Sequence, residues 1–127
     1  MSKNPEVLVL DDEAVVCERL EDYLEKKGLA VETFTDSTEA LNRLQEKEFD
    51  VVVTDLKMDG PTGMDVLRTV KRAAYNTEVI IITGYATIET SREADVIGAF
   101  EFIAKPFKLS EVYKLIEKAA RKARKGK

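Results

Sequence analysis

The sequence predicts an α/β protein, with five parallel strands in one sheet and helices on both faces, a three-layer sandwich. Three observations carry this. Short apolar runs bounded by turn residues occur five times in the 127 residues, and a stretch with helical spacing follows each. Two of the runs, VVVT and VIII, are apolar at nearly every position, as central strands covered on both faces must be. Strands alternating with helices pair in parallel, because each returns through a right-handed crossover. No repeat, composition break or long linker interrupts the pattern, so residues 1–120 form one domain, and 121–127 read as its basic helix end or the start of a linker.

The first strand is VLVL (7–10), and Val16, Leu20, Tyr23 and Leu24 mark the helix after it, which Gly28 ends. AVETF (30–34) leads to a helix carrying Ala40, Leu41 and Leu44, for which Ser37 is a cap candidate. DVVVT (50–54) is the third strand, followed by Leu67, Val70 and Ala74 at helical spacing. EVIIIT (78–83) is the fourth. TIETSREADVIG (87–98), closed by Gly98, is the weakest helix, and its polar content and threonines suit a thinly anchored, mobile one. FEFIA (100–104) is the fifth strand. Val112, Ile116, Ala119 and Ala123 mark the last helix, with Ser110 as its cap candidate and Glu111 in its first turn.

Composition narrows the chemistry. A chain of this size buries well over half of its unfolded surface without disulfides. Its hydrophobic and charged fractions, 44% and 35%, are those of a soluble globular protein. No apolar run approaches a membrane span, and MSKNPE lacks the apolar region of a secretory signal, so a cytoplasmic address is expected and no membrane partner. Cys17 is the single cysteine and reads as a small core residue. With no histidine in the chain, carboxylates, hydroxyls and lysines must carry any reaction. The tail RKARKGK holds five positive charges and no negative one, so with a net charge of −4 for the whole chain residues 1–120 carry −9. So acidic a body argues against nucleic acid as a direct ligand.

Ligands of open parallel sheets bind beyond the carboxyl ends of the strands. There the sequence places Asp11 and Asp12 after the first strand, Asp55 after the third, Thr83 and Gly84 at the fourth, and Lys105 with Pro106 after the fifth. Each has an ordinary reading: Asp12 as a helix cap, Asp55 and Thr83 as turn residues, Lys105 as a solvated side chain, Glu13 as a first-turn acid favoured by the helix dipole. Four separate strand ends carrying what one mechanism needs outweigh those readings. Crowded carboxylates stay ionised when a divalent cation sits among them. Oxygen donors without imidazole or thiolate point to Mg2+, which typically shares its shell with phosphate oxygens. Beside such a metal, the central Asp55 is the candidate nucleophile toward a phosphoryl group.

DD after the first strand, TDLKM around Asp55, TGYA at the fourth strand and KPF after the fifth together make the chain resemble a receiver domain of bacterial two-component response regulators, over essentially its whole length. The resemblance implies a flavodoxin-like (βα)5 fold with strand order 2-1-3-4-5. It implies Asp55 as the phosphoacceptor, Mg2+ held by Asp12, Asp55 and the backbone carbonyl of Lys57, and Asp11 acting largely through a metal-bound water. Thr83 and Lys105 would bind phosphoryl oxygens, and the Lys105–Pro106 peptide would be cis. The donor would be a phosphohistidine on a sensor histidine kinase, and a later water would hydrolyse the acyl phosphate. The phosphoryl charge should draw Thr83 inward and let Phe102 fill the vacated space. The fourth helix, fifth strand and fifth helix would then change as a surface for a homodimer, a partner or a linked output domain.

Two departures from the family pattern stand out. Phe102 takes a position that is often tyrosine, so coupling there rests on packing alone. After Met58 the usual proline is Asp59, with Pro61 two residues on, while Gly63 fits the family. Lys57 and Tyr85 flank the approach of water and are candidates for setting the lifetime of the acyl phosphate. The alternative function is a magnesium-dependent phosphohydrolase with an aspartate nucleophile. Such enzymes of the haloacid dehalogenase type place an Asp-x-Asp pattern after the first strand and carry a cap insertion, whereas here the residues are Asp11-Asp12-Glu13 with no substantial insertion. TGYATIET resembles receivers that precede the ATPase module of enhancer-binding transcription activators, so transcription regulation through an output domain is the expected context.

Overall fold

The structure, a computed structural model, describes residues 4–73 and 75–126. Ala74 and Lys127, assigned above to a helix and to the tail, lie outside the described residues. Five strands, β1 (Glu6–Leu10), β2 (Ala30–Phe34), β3 (Val51–Thr54), β4 (Glu78–Thr83) and β5 (Glu101–Ala104), alternate with five helices. The helices are α1 (Ala14–Lys26), α2 (Ser37–Glu46), α3 (Gly63–Arg72), α4 (Ile88–Ile97) and α5 (Leu109–Lys125). All strand pairs are parallel and the order is β2-β1-β3-β4-β5, as the fold reading expected.

Side chains alternate between two cores. Val7, Val9, Val51, Val53, Ile80 and Ile82 turn to one face, where Leu20 and Leu24 of α1 and Val112, Ile116 and Ala119 of α5 cover them. Leu8, Leu10, Val52, Val79 and Ile81 turn to the other, under Ala40 and Leu44 of α2, Val66 and Leu67 of α3 and Ala94 of α4. Every residue of β3 and β4 is buried, which is why their sequences lack alternation. Cys17 is a buried part of the α1 core, its thiol donating to the carbonyls of Asp11 and Phe34.

Helix starts differ from expectation at two places. Ser37 is the first residue of α2 rather than its cap: Asp36 accepts from the Glu39 N–H, while the buried Ser37 hydroxyl donates to the Asp59 carbonyl. Ser110 is likewise inside α5, which starts at Leu109 where a half-buried side chain meets the core, and Lys108 stands at the N-cap without a side-chain cap bond. The threonines that weaken the α4 pattern turn out to start it. Thr87 and Thr90 cap each other reciprocally, although Ala94 is the one fully buried residue of the helix.

The basic tail continues α5 through Lys125, and Arg124 reaches back to the buried Asp50 at the opening of β3. Asp50 also accepts from the Glu6 N–H at 2.8 Å.

Candidate functional site

Sheet register brings the site together. Leu10 lies opposite Thr54, and the Asp55 N–H donates to the Leu10 carbonyl at 2.9 Å, so Asp11 and Asp55 leave neighbouring strands side by side. Here the strand order reverses direction, since β1 is followed outward by β2 and β3 by β4. On the far side Thr83 lies opposite Ala104, and the Lys105 N–H donates to the Thr83 carbonyl at 2.8 Å. The Lys105–Pro106 peptide is cis.

Asp11, Asp12 and Asp55 each offer one carboxylate oxygen to a cluster whose members lie within 4.8 Å of one another. Asp11 and Asp55 are buried and Asp12 is exposed. Two oxygens of the set are committed to backbone: Asp11 Oδ1 accepts from the Glu13 N–H at 2.8 Å, and Asp55 Oδ1 from the Leu56 N–H at 2.6 Å. The second oxygens of Asp11 and Asp55 face the Lys105 ammonium, which stands 2.8 Å from Asp11 Oδ2 and 3.3 Å from Asp55 Oδ2. Burial pushes the Asp11 carboxyl above the usual carboxylate range, and the Lys105 and Glu13 hydrogen bonds offset that only in part. Burial works to lower the Lys105 pKa, but the hydrogen bond to Asp11 and the charges of Asp11 and Asp55 overcome it and hold the ammonium above its ordinary value.

Beside these groups opens a cleft of about 740 Å³, lined by Asp12, Asp55 and Lys105 together with Lys57, Met58 and Tyr85. The Lys57 ammonium sits over the Tyr85 ring, 4.7 Å from the centroid, so the two flanking residues touch across the cleft. Asp59 lines the same cleft but is outside the converging carboxylates. Thr83 is fully buried, and its hydroxyl accepts from the Tyr85 N–H at 3.0 Å. Phe102 is away from the cleft. It lies opposite Ile81, half-buried in the core beneath α4, on the sheet face that Thr83 shares with Ile81.

Two residues carry more than the sequence suggested. Glu13, read above as a helix-dipole acid, is the N-cap of α1, and its carboxylate makes a 3.2 Å ion pair with Lys105. Its position beside two site acids was the available signal, but nothing in the sequence aims it at a lysine 92 residues away. Gly63 begins α3 against the backbone of Asp55, where a Cβ would meet the Asp55 carbonyl and the Leu56 Cα.

The donor set fits a small hard divalent cation. It offers oxygen alone, and even with Lys105 and Lys57 present the carboxylates of Asp11, Asp12, Glu13, Asp55 and Asp59 outnumber the cations facing the cleft.

Comparison with known proteins places the chain. The sequence model of the response regulator receiver domain matches residues 7–117. The transcriptional regulatory protein FixJ of Bradyrhizobium diazoefficiens is 31% identical over 123 residues, covering 97% of this chain and 60% of FixJ. The DNA-binding transcriptional regulator NtrC of Escherichia coli is 34% identical over 113 residues, covering 89% of this chain and 24% of NtrC. The chain thus spans three-fifths of one relative and about a quarter of the other. A crystal structure of a response regulator receiver domain protein from Clostridium thermocellum superposes with a TM-score of 0.90 at 34% identity, over 97% of this chain and 99% of that one. The chain belongs to the response regulator receiver domain family, the phosphoacceptor signalling domains of two-component systems.

Proposed function

We propose that Asp55 is the phosphoacceptor of this receiver and that the acceptor reaction depends on Mg2+. The observation that carries the proposal is the placement of Asp55, whose carboxylate belongs to a cluster within 4.8 Å and whose Oδ2 lies 3.3 Å from the Lys105 ammonium, in the lining of an open cleft. Asp11, Asp12 and Asp55, with the Lys57 backbone carbonyl, would hold the cation. When bound, it would spread the charge of the phosphoryl oxygens during transfer.

The chain's own residues divide the remaining work. The Leu56 N–H donates to Asp55 Oδ1 and so orients the carboxylate that attacks phosphorus. In that attack the P–N bond of a kinase phosphohistidine breaks as the P–O bond to Asp55 forms, and the leaving imidazole takes up a proton. Lys105, already between Asp11 and Asp55, would turn its charge to a phosphoryl oxygen. The Thr83 hydroxyl, which accepts from the Tyr85 N–H, would donate its own O–H to a second one. The Lys57–Tyr85 pair limits the approach of water, so hydrolysis returns the domain slowly to rest.

The partner proposal is a sensor histidine kinase as donor and, in the cytoplasm, an output domain for transcription regulation of the kind FixJ and NtrC are named for. The responding surface is α4, β5 and α5. Tyr85, Ile88 and Val96 are large apolar side chains left exposed on α4 and the loop before it, which suits a partner or a second copy. Thr83 and Phe102, on one face of adjacent strands, connect that surface to the cleft.

Intact-mass measurement after exposure to magnesium and a small acyl phosphate tests the proposal. Wild type should gain one phosphoryl group, and Asp55→Asn or omission of magnesium should prevent it. A phosphorylated Asp55→Asn protein would refute the acceptor assignment.

A further inference from the structure

Lys105 holds one oxygen from each of the two buried carboxylates of the candidate cation cluster. Backbone N–H groups donate to Asp11 Oδ1 and Asp55 Oδ1, while Asp11 Oδ2 and Asp55 Oδ2 both lie within hydrogen-bond distance of Lys105 Nζ. A divalent ion drawn to the cluster therefore competes with an ammonium already there, and the two positive charges repel at short range. Neither oxygen is free without a change in what Lys105 holds. The lysine is only 17% exposed along its side chain, so release to bulk water would also draw its stem out of packing.

Glu13 supplies another partner. Its carboxylate pairs with the same ammonium at 3.2 Å, and it is outside the carboxylate cluster that could take the cation. Its backbone is fixed at the N-cap of α1, and its own N–H is the donor that orients Asp11, so its position is coupled to the metal wall. The side chain is 60% exposed, free to follow a small displacement of Lys105 toward the mouth of the cleft.

We infer that Glu13 is a positioning residue for Lys105: it takes over the ammonium when a cation claims Asp11 and Asp55, so that metal and lysine occupy the site together instead of excluding one another. The inference rests on reading the carboxylate cluster as a cation site. It gives the third acid of DDE a task distinct from ligating metal. Without Glu13, the lysine falls back on Asp11 and Asp55, and the cation must displace it.

A double-mutant cycle on the full chain tests this through magnesium binding, followed by amide NMR shifts and without any phosphoryl donor. Glu13→Gln should raise the magnesium Kd about fivefold when Lys105 is present, and less than about twofold in a Lys105→Met background, because a screened exposed charge acts weakly by itself. The side-chain ammonium signal of Lys105 should survive magnesium saturation in wild type and be lost to exchange with water in Glu13→Gln. Equal fold-changes in both backgrounds, or none in either, would overturn the role of Glu13 while leaving the cation site standing. Failure of wild type to bind magnesium at all would overturn the site reading as well.

Discussion

A side chain on Gly63 would occupy the same space as the carbonyl oxygen of Asp55. The first residue of α3 packs directly against the backbone of the proposed acceptor, and its N–H donates to the Leu56 carbonyl at 2.9 Å. A Cβ there meets backbone, which cannot rotate away as a flexible side chain could. Gly63→Ala should cost about 2–4 kcal/mol of stability, in the range of overpacked or strained core positions. It should also weaken magnesium binding, because Asp55 moves with its carbonyl. Thermal melts and a magnesium titration check the two effects together.

Magnesium should stabilise the fold as well as serve the reaction. Burial raises the Asp11 pKa, which means that the ionised form is held at a cost in the metal-free protein. A raised carboxyl pKa makes the folded state bind its proton more tightly, so that cost is present at neutral pH and fades as pH falls through the folded value. A cation removes it without a proton. At a hundredfold excess over Kd, magnesium should add about 2.7 kcal/mol, near 10 °C in Tm. Asp12→Asn should keep less than half of that shift.

Tyr85 and Lys57 form the one aromatic and cationic pair found across the cleft among the described residues. If that pair restrains the hydrolytic water, Tyr85→Ala should shorten the lifetime of the acyl phosphate about threefold to tenfold, the equivalent of about 1 kcal/mol. The decay of phosphorylated protein after removal of the donor reads this directly. An unchanged decay would assign lifetime control elsewhere.

Asp50 anchors the opposite end of the sheet. It is buried, accepts from the Glu6 N–H and pairs with Arg124 in the last turns of α5. Asp50→Ala should leave the partly buried Glu6 N–H and a guanidinium without this partner and destabilise by about 2–4 kcal/mol. Magnesium affinity should not change, since the site lies at the other end of the strands. Urea unfolding beside a magnesium titration separates the two.

Much of the fold was legible because it is written locally. The fully apolar runs of β3 and β4 told of strands covered on both faces, and the strand ends named Asp11, Asp12, Asp55, Thr83 and Lys105 as neighbours once parallel pairing was accepted. Caps were less legible. Asp36 stands at the start of α2 because Ser37 is turned inward to the Asp59 carbonyl, a contact between segments 22 residues apart. Thr87 and Thr90 lowered the expectation of a helix at α4, although their reciprocal bonds are what starts it.

The sequence by itself determined the alternation of elements, the chemistry available without histidine, and the presence of acids where the central strands end. Tertiary structure decided which partner each oxygen of Asp11 and Asp55 meets, that Glu13 turns to Lys105, and that the basic tail is tied to Asp50. The reason is range: periodicity and side-chain type are properties of neighbours in the chain, whereas a carboxylate's partner depends on strand register and on backbone N–H groups brought from other segments. Lys105 reaches Asp11 across 94 residues only because β5 and β1 end at the same rim of one sheet.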